Sequence, residues 1–164
     1  KTKDKLENIE NGIYLDEITL QAGKELEKFA KMKRINIKYE ILEPLQINGH
    51  SQLLKIALKN IIKNAIVFSH ENSSIYIKNY ISHGYSIISV KDNGIGIPKD
   101  EQNKIFEKFY RTDKSRSKDS GGTGLGMSIS KKIIKMHNSK ILLESIENEG
   151  TTIFLKFSKL MFKV

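Results

Sequence analysis

The sequence predicts an α/β chain of the α+β kind, a two-layer sandwich with helices on one face of a mostly antiparallel sheet. Three observations lead there. Apolar residues recur at helical spacing over 15–33, 51–67 and 124–136. Alternating, β-branched runs come as two hairpins, which argues against a doubly wound parallel sheet. Between them, residues 99–122 are Ser-, Lys- and Asp-rich without lasting periodicity, and loops of that length are functional or mobile.

Each element has its own justification. Residues 1–14 are polar and read as a lead-in. Leu15, Ile18, Ala22, Leu26, Phe29 and Ala30 predict an amphipathic helix over 15–33. Residues 35–41 alternate and read as a strand, followed by a turn at Pro44 and a short strand over 45–47. Over 51–67, Leu54, Leu58, Ile61, Ile62 and Ala65 share one arc, while Lys55, Lys59 and Lys63 share another. Asn60 and Asn64 fall on a third face with Leu53 and Val67. Strands follow at 75–81 and 85–90 around His83-Gly84. A helix over 124–136 points Leu125, Ile129, Ile133 and Ile134 inward, with His137 at its end, where a cation is favoured. Strands at 140–146 and 151–157 close the chain.

Composition narrows the function classes. The 164 residues carry 28 Lys+Arg against 19 Asp+Glu, a net charge of +9. The lysines are spread along the chain without a nucleic-acid-binding aromatic signature, so nucleic acid is not expected as a partner; a basic chain also suits polyphosphate. The absence of cysteine rules out disulfides, thiolate metal sites and a cysteine nucleophile. No apolar run reaches the ~18 residues of a membrane span, and no direct membrane contact is expected. Because Lys1 rather than Met opens the chain, it is read as a piece of a longer protein.

Four segments carry chemistry. Asp92-Asn-Gly-Ile-Gly-Ile-Pro98 follows a strand, and Gly121-Gly-Thr-Gly-Leu-Gly126 opens a helix. Glycine allows close backbone approach, and a helix amino end presents free N–H groups to an anion, so Gly122, Gly124 and Gly126 suit phosphate. Neither segment is a Walker A loop or a Rossmann fingerprint. Asn60 and Asn64, at i and i+4, share a helix face, and amide oxygens suit Mg²⁺ alongside substrate phosphates. In Ile105-Phe-Glu-Lys-Phe-Tyr-Arg111, Lys108 and Arg111 can reach phosphate oxygens. For each segment taken alone, a flexible turn, a solvated amide pair or a surface helix is an equally simple reading.

Together and in this order, the segments resemble the asparagine, first glycine, phenylalanine and second glycine boxes of bacterial sensor histidine kinase catalytic domains. The likeness covers about residues 15–158. It implies the Bergerat ATP-binding fold with a long ATP lid, and three parts: 1–14 as a lead-in from an upstream dimerisation domain, 15–158 as the catalytic domain and 159–164 as a tail. It implies ATP and Mg²⁺ as ligands. Asp92 would accept from the adenine amino group, and Phe68 would lie near the ring. Gly94, Gly96 and Ile97 would give the base room. Asn64 and Asn60 would hold the metal. Lys108, Tyr110 and Arg111 in the lid, with Gly122, Thr123, Gly124, Leu125 and Gly126, would surround the triphosphate. Asn60, Lys108 and Arg111 are the residues implied in catalysis.

The resemblance further implies transfer of the ATP γ-phosphoryl group to a histidine on a separate dimerisation domain, then to a response-regulator aspartate. None of His50, His70, His83 and His137 reads as that acceptor. The piece would be monomeric and cytoplasmic, its parent a homodimer anchored in the bacterial membrane. The sequence departs from the family pattern at Val67, where a lysine is common, at Phe68, often tyrosine, and at His50, often acidic. A degenerate nucleotide- or partner-binding module, or another ATPase of the same fold, are the alternatives.

Overall fold

The computed structural model describes residues 5–108, 110 and 125–157. Its centre is α3 (Ser51–Phe68), whose Leu54, Leu58, Ile61, Ile62 and Ala65 are all buried, as their common arc requires. Beneath it lies a five-stranded sheet ordered β2 (Asn36–Leu42), β4 (Ser74–Ser82), β5 (Tyr85–Lys91), β7 (Gly150–Phe157), β6 (Lys140–Ile146). The β2–β4 pair is parallel and the other three are antiparallel, so the sheet is mixed and mostly antiparallel, as predicted. The core joins Ile75 and Ile77 of β4, Ile88 and Val90 of β5, and Ile153, Leu155 and Phe157 of β7 to the helices above.

Three local features differ from the sequence reading. The helix expected over 15–33 is two helices, α1 (Leu15–Glu25) and α2 (Glu27–Met32). At Leu26 the backbone N–H bonds back three residues to the Gly23 carbonyl (3.0 Å), which tightens the last turn and ends α1. The polar lead-in holds β1 (Glu10–Tyr14), paired antiparallel with β3 (Gln46–Gly49) in a small separate sheet. Its exposure hid it, because a largely solvated edge ribbon shows little apolar alternation. In α4 (Gly126–Met136), Met127, Ser130, Ile133 and Ile134 face inward, whereas Ile129 is 42% exposed. Polar Ser130 fits inside because its hydroxyl donates to the Ala57 carbonyl of α3 (3.0 Å).

His137, expected as a charged residue at the end of α4, is instead a buried neutral one. It is fully buried. Its Nε2 accepts the His50 backbone N–H at 3.0 Å, and Nδ1 lies 2.8 Å from the Ile133 carbonyl and donates to it. That tautomer pins the carboxyl end of α4 to the amino end of α3. At the same end His50 Nδ1 accepts from Leu53 N–H (3.2 Å), which gives His50 a role as N-cap. Glu10 of β1 accepts from both the backbone and the hydroxyl of Ser51, so a carboxylate still serves this helix amino end from a different strand.

Burial lowers the His137 pKa below its usual 6.5, with the His50 charge adding to the effect and the Ile133 bond opposing it. The unfolded side chain therefore takes up a proton where the folded one does not. The stability from this group is complete above about pH 6.5 and is lost as pH falls below it. Urea unfolding across about pH 5 to 7 should show a steeper acid-side loss for the native chain than for His137→Gln; equal slopes would contradict a neutral buried ring.

Candidate functional site

Strand β5 delivers Asp92 to the site immediately past its carboxyl end. The Asp92 backbone N–H bonds the Thr151 carbonyl of β7 at 2.8 Å, so the next strand fixes its position. Its side chain is 6% exposed. Oδ1 accepts two backbone N–H groups, from Gly94 (3.0 Å) and Thr151 (3.2 Å), whereas Oδ2 accepts from no described residue. Burial raises its pKa to about 6, the two backbone bonds only partly opposing it. The result is a fixed, buried carboxyl with one oxygen available to an outside donor.

The glycines around it are dictated by space. A Cβ on Gly94 would lie 1.9 Å from the Phe68 carbonyl oxygen. That carbonyl, at the end of α3, accepts from Ile95 N–H at 3.1 Å, and Ser69 bridges to Gly94. Gly96 has φ +66, and a Cβ there would sit 2.1 Å from the Ile146 carbonyl. Ile97 donates its N–H to Ser145 Oγ at 2.8 Å. The Asp92–Pro98 loop is thus wedged between the end of α3 and the β6–β7 hairpin.

One face of α3 runs away from Asp92 and this loop. Phe68, Asn64 and Asn60 stand at successive i−4 positions, a rise of about 12 Å over eight residues at 1.5 Å each. All three are half-buried, and neither asparagine amide bonds a described residue. At the far end sits the amino end of α4: a Cβ on Gly126 would meet Asn60 Cγ at 3.6 Å, ordinary contact. Leu125, half-buried, precedes this helix and offers no side-chain cap, which leaves the first-turn N–H groups to other partners.

Of the phenylalanine-box residues, Phe106 packs against the core with Lys131 Nζ 5.4 Å from its ring centre. The Tyr110 hydroxyl donates to Glu101, and Lys108 is exposed. Arg111, Gly122, Thr123 and Gly124 lie outside the described residues. Val67 brings no charge to this face of α3, and Lys63 does not either: its Nζ sits over the Phe29 ring at 5.7 Å, on the α2 side. Sequence reasoning missed Thr151, Gly150 and Ser145, which brace Asp92 and the loop from behind. Nothing in the sequence marked them, since they act through backbone groups and a hydroxyl brought together only by strand pairing.

The family profile described as histidine kinase-, DNA gyrase B- and HSP90-like ATPase matches residues 49–160. The chain belongs to this ATPase family. Sensor protein kinase WalK of Staphylococcus saprophyticus is 45% identical over 98 residues, which are 58% of this chain and 16% of that protein. WalK of Staphylococcus aureus is 44% identical over 98 residues, 58% of this chain and 24% of that one. The chain therefore matches only a small part of these relatives' length. Among solved structures, the catalytic domain of histidine kinase ThkA aligns with a TM-score of 0.78 and 28% identity over 93% of this chain and 98% of that one. The mycobacterial sensor histidine kinase MprB shares the fold at TM-score 0.77 and 23% identity, covering 89% and 95%. Sequence and fold together place the chain with sensor histidine kinase ATP-binding catalytic domains.

Two outcomes follow from the pocket. The folded Asp92 pKa of about 6 lies above its ordinary 3.8, so ionised Asp92 costs stability above pH 6. Roughly two units at 1.36 kcal/mol each make about 3 kcal/mol an upper bound. At pH 8, Asp92→Asn should therefore raise the unfolding free energy of the unliganded domain while abolishing adenine-nucleotide binding; a variant less stable than the native chain would contradict this. Gly150, at φ +126, leaves 2.2 Å between an added Cβ and the Asp92 carbonyl oxygen. Gly150→Ala should lose more than about 1 kcal/mol of stability and weaken nucleotide binding in calorimetry.

Proposed function

We propose that this chain is the ATP-binding half of a sensor histidine kinase, which passes the ATP γ-phosphoryl group to a histidine on a dimerisation domain and thence to a response-regulator aspartate. The observation that carries the reading is the open Oδ2 of buried Asp92, at one end of an α3 face that leads to the α4 amino end. Adenine offers an amino donor and phosphate offers anionic oxygens, and the two ends of this strip suit them in that order.

In this reading Asp92 selects adenine, and Gly94, Gly96 and Ile97 shape the slot beside it. Phe68 covers the base. Asn64 and Asn60 present amide oxygens, hard donors without a described protein partner, and these fit Mg²⁺ held jointly with nucleotide phosphates. When bound, that ion would neutralise charge building on the phosphate oxygens. The first-turn N–H groups of α4, with Leu125 and Gly126, face the phosphate end. Lys108 and Tyr110 would belong to a lid, to which Arg111, Gly122, Thr123 and Gly124 would contribute. Catalysis would be positioning and charge neutralisation, with roles for Asn60, Lys108 and Arg111.

The acceptor histidine belongs to a domain beyond this sequence, so the chain alone binds ATP without phosphorylating itself. The parent works as a homodimer anchored in the cell membrane, with this domain on the cytoplasmic side. Among the described residues, no helix is long and apolar enough to cross a membrane.

One observation favours a second reading. With Val67 in the common lysine's place and Lys63 turned to Phe29, the phosphate end has lost a cation. A degenerate domain that binds nucleotide without transferring phosphate accounts for that. The discriminating experiment supplies the parent's dimerisation domain in trans with γ-labelled ATP. Label should pass to it, and Asn60→Ala should slow transfer by about 10²-fold. Tight ATP binding with no transfer would establish the degenerate reading.

A further inference from the structure

The sheet has a second face that none of the described helices covers. Along β4, β5 and β7, buried residues under the helices alternate with half-buried or exposed ones on the other side, Ser74 and Ser89 also being buried there, and along β6 half-buried residues alternate with exposed ones. On that open side Tyr80 pairs with Ile87, and Phe154 pairs with Leu142. Ile87 and Phe154 are diagonal neighbours across β5 and β7. These four residues form an apolar ridge across four strands, and Leu142 at its edge is 47% exposed.

Lysines flank the ridge on both sides. Beyond Ile87, Lys156 stands directly opposite Lys140. On the other side, Lys38 and Lys91 both register against Tyr76. Among the described residues, neither Lys91 nor Lys140 has an ion-pair partner. The carboxylates of this face lie on the outermost strands: Glu40 of β2, 3.6 Å from Lys78, and Glu144 of β6. Like charges directly opposite across a strand pair destabilise it. The Lys140–Lys156 register carries such a cost, eased where Lys156 Nζ sits 4.2 Å from the Tyr85 ring centre, and carboxylates from outside would relieve the rest.

We propose that this face docks an acidic, amphipathic polypeptide segment of a partner protein, its apolar side chains along the ridge and its carboxylates against the lysines. Tyrosine and phenylalanine at the centre with charge at the rim is the pattern of a protein interface. The rings are only half-exposed among their neighbours, so none stands clear to enter a lipid layer or stack on a nucleobase. The glutamates on the outer strands would repel a continuous anionic sheet but tolerate a segment of limited width. The face lies on the opposite side of the sheet from α3, so docking leaves the nucleotide strip open, and the inference stands apart from the kinase reading.

The test titrates the isotopically labelled chain with a helix-forming peptide that carries leucine on one face and glutamate on its flanks. Amide shifts should concentrate at Tyr80, Ile87, Phe154 and Leu142, and binding should weaken with added salt. Lys140→Glu with Lys156→Glu should weaken binding by about tenfold or more, as should the separate surface variant Leu142→Glu, with amide spectra unchanged elsewhere. Shifts absent from this face, or both variants binding as the native chain does, would overturn the proposal. So would tighter binding of phosphatidylglycerol vesicles or a single-stranded oligonucleotide than of the peptide.

Discussion

A buried carboxyl group held by backbone donors on a single oxygen sets the terms for the rest of this domain. Asp92 is taken out of water, which raises its pKa, and the chain answers with two backbone N–H groups on a single oxygen. Both donors need backbone in close quarters. Gly94 closes against the Phe68 carbonyl, and Gly150 closes against the carbonyl of Asp92 itself. The carboxyl proposed to bind adenine is thus one that folding alone does not favour in charged form, a conflict expected at functional sites.

From that point α3 acts as a spacer. Its buried arc fixes its rotation over the sheet, and that rotation places Phe68, Asn64 and Asn60 on one line. The far end of the line depends on how α4 crosses α3. Ser130 bonds the Ala57 carbonyl, and His137 ties the carboxyl end of α4 to the amino end of α3. Small β1 joins the same junction through Glu10 and Ser51. Groups remote from Asp92 therefore hold the distance between Asp92 and the amino end of α4.

Most of this was legible in the residues. The α3 arc, the two hairpins and the glycine segments each follow from local spacing, and the α3 arc is buried as that spacing predicts. Asp92, Asn60 and Asn64 stand out in the sequence because four segments occur together in one order. Most of what escaped has a common cause. The strand β1, the neutral state of His137 and the bracing by Thr151 and Ser145 all depend on partners distant in sequence, whereas the break at Leu26 is a local bond back to Gly23. A histidine at a helix end looks like a favourable cation until another helix's N–H is found against its ring. Ile129 likewise fits the apolar period, yet the crossing of α4 on α3 turns Met127 and Ser130 inward instead.

The most direct measurement is the affinity of the chain for ADP by calorimetry, with Mg²⁺ held constant, from about pH 5 to 8. In the proposed role the ionised Asp92 carboxylate accepts from adenine, and burial pushes that group's pKa up to about 6 in the unliganded fold. Affinity should rise through that range and level off above it, with proton release on binding at the acid end. An affinity that is flat in pH, or binding that survives unchanged in Asp92→Ala, would contradict the assignment of Asp92 as the adenine acceptor.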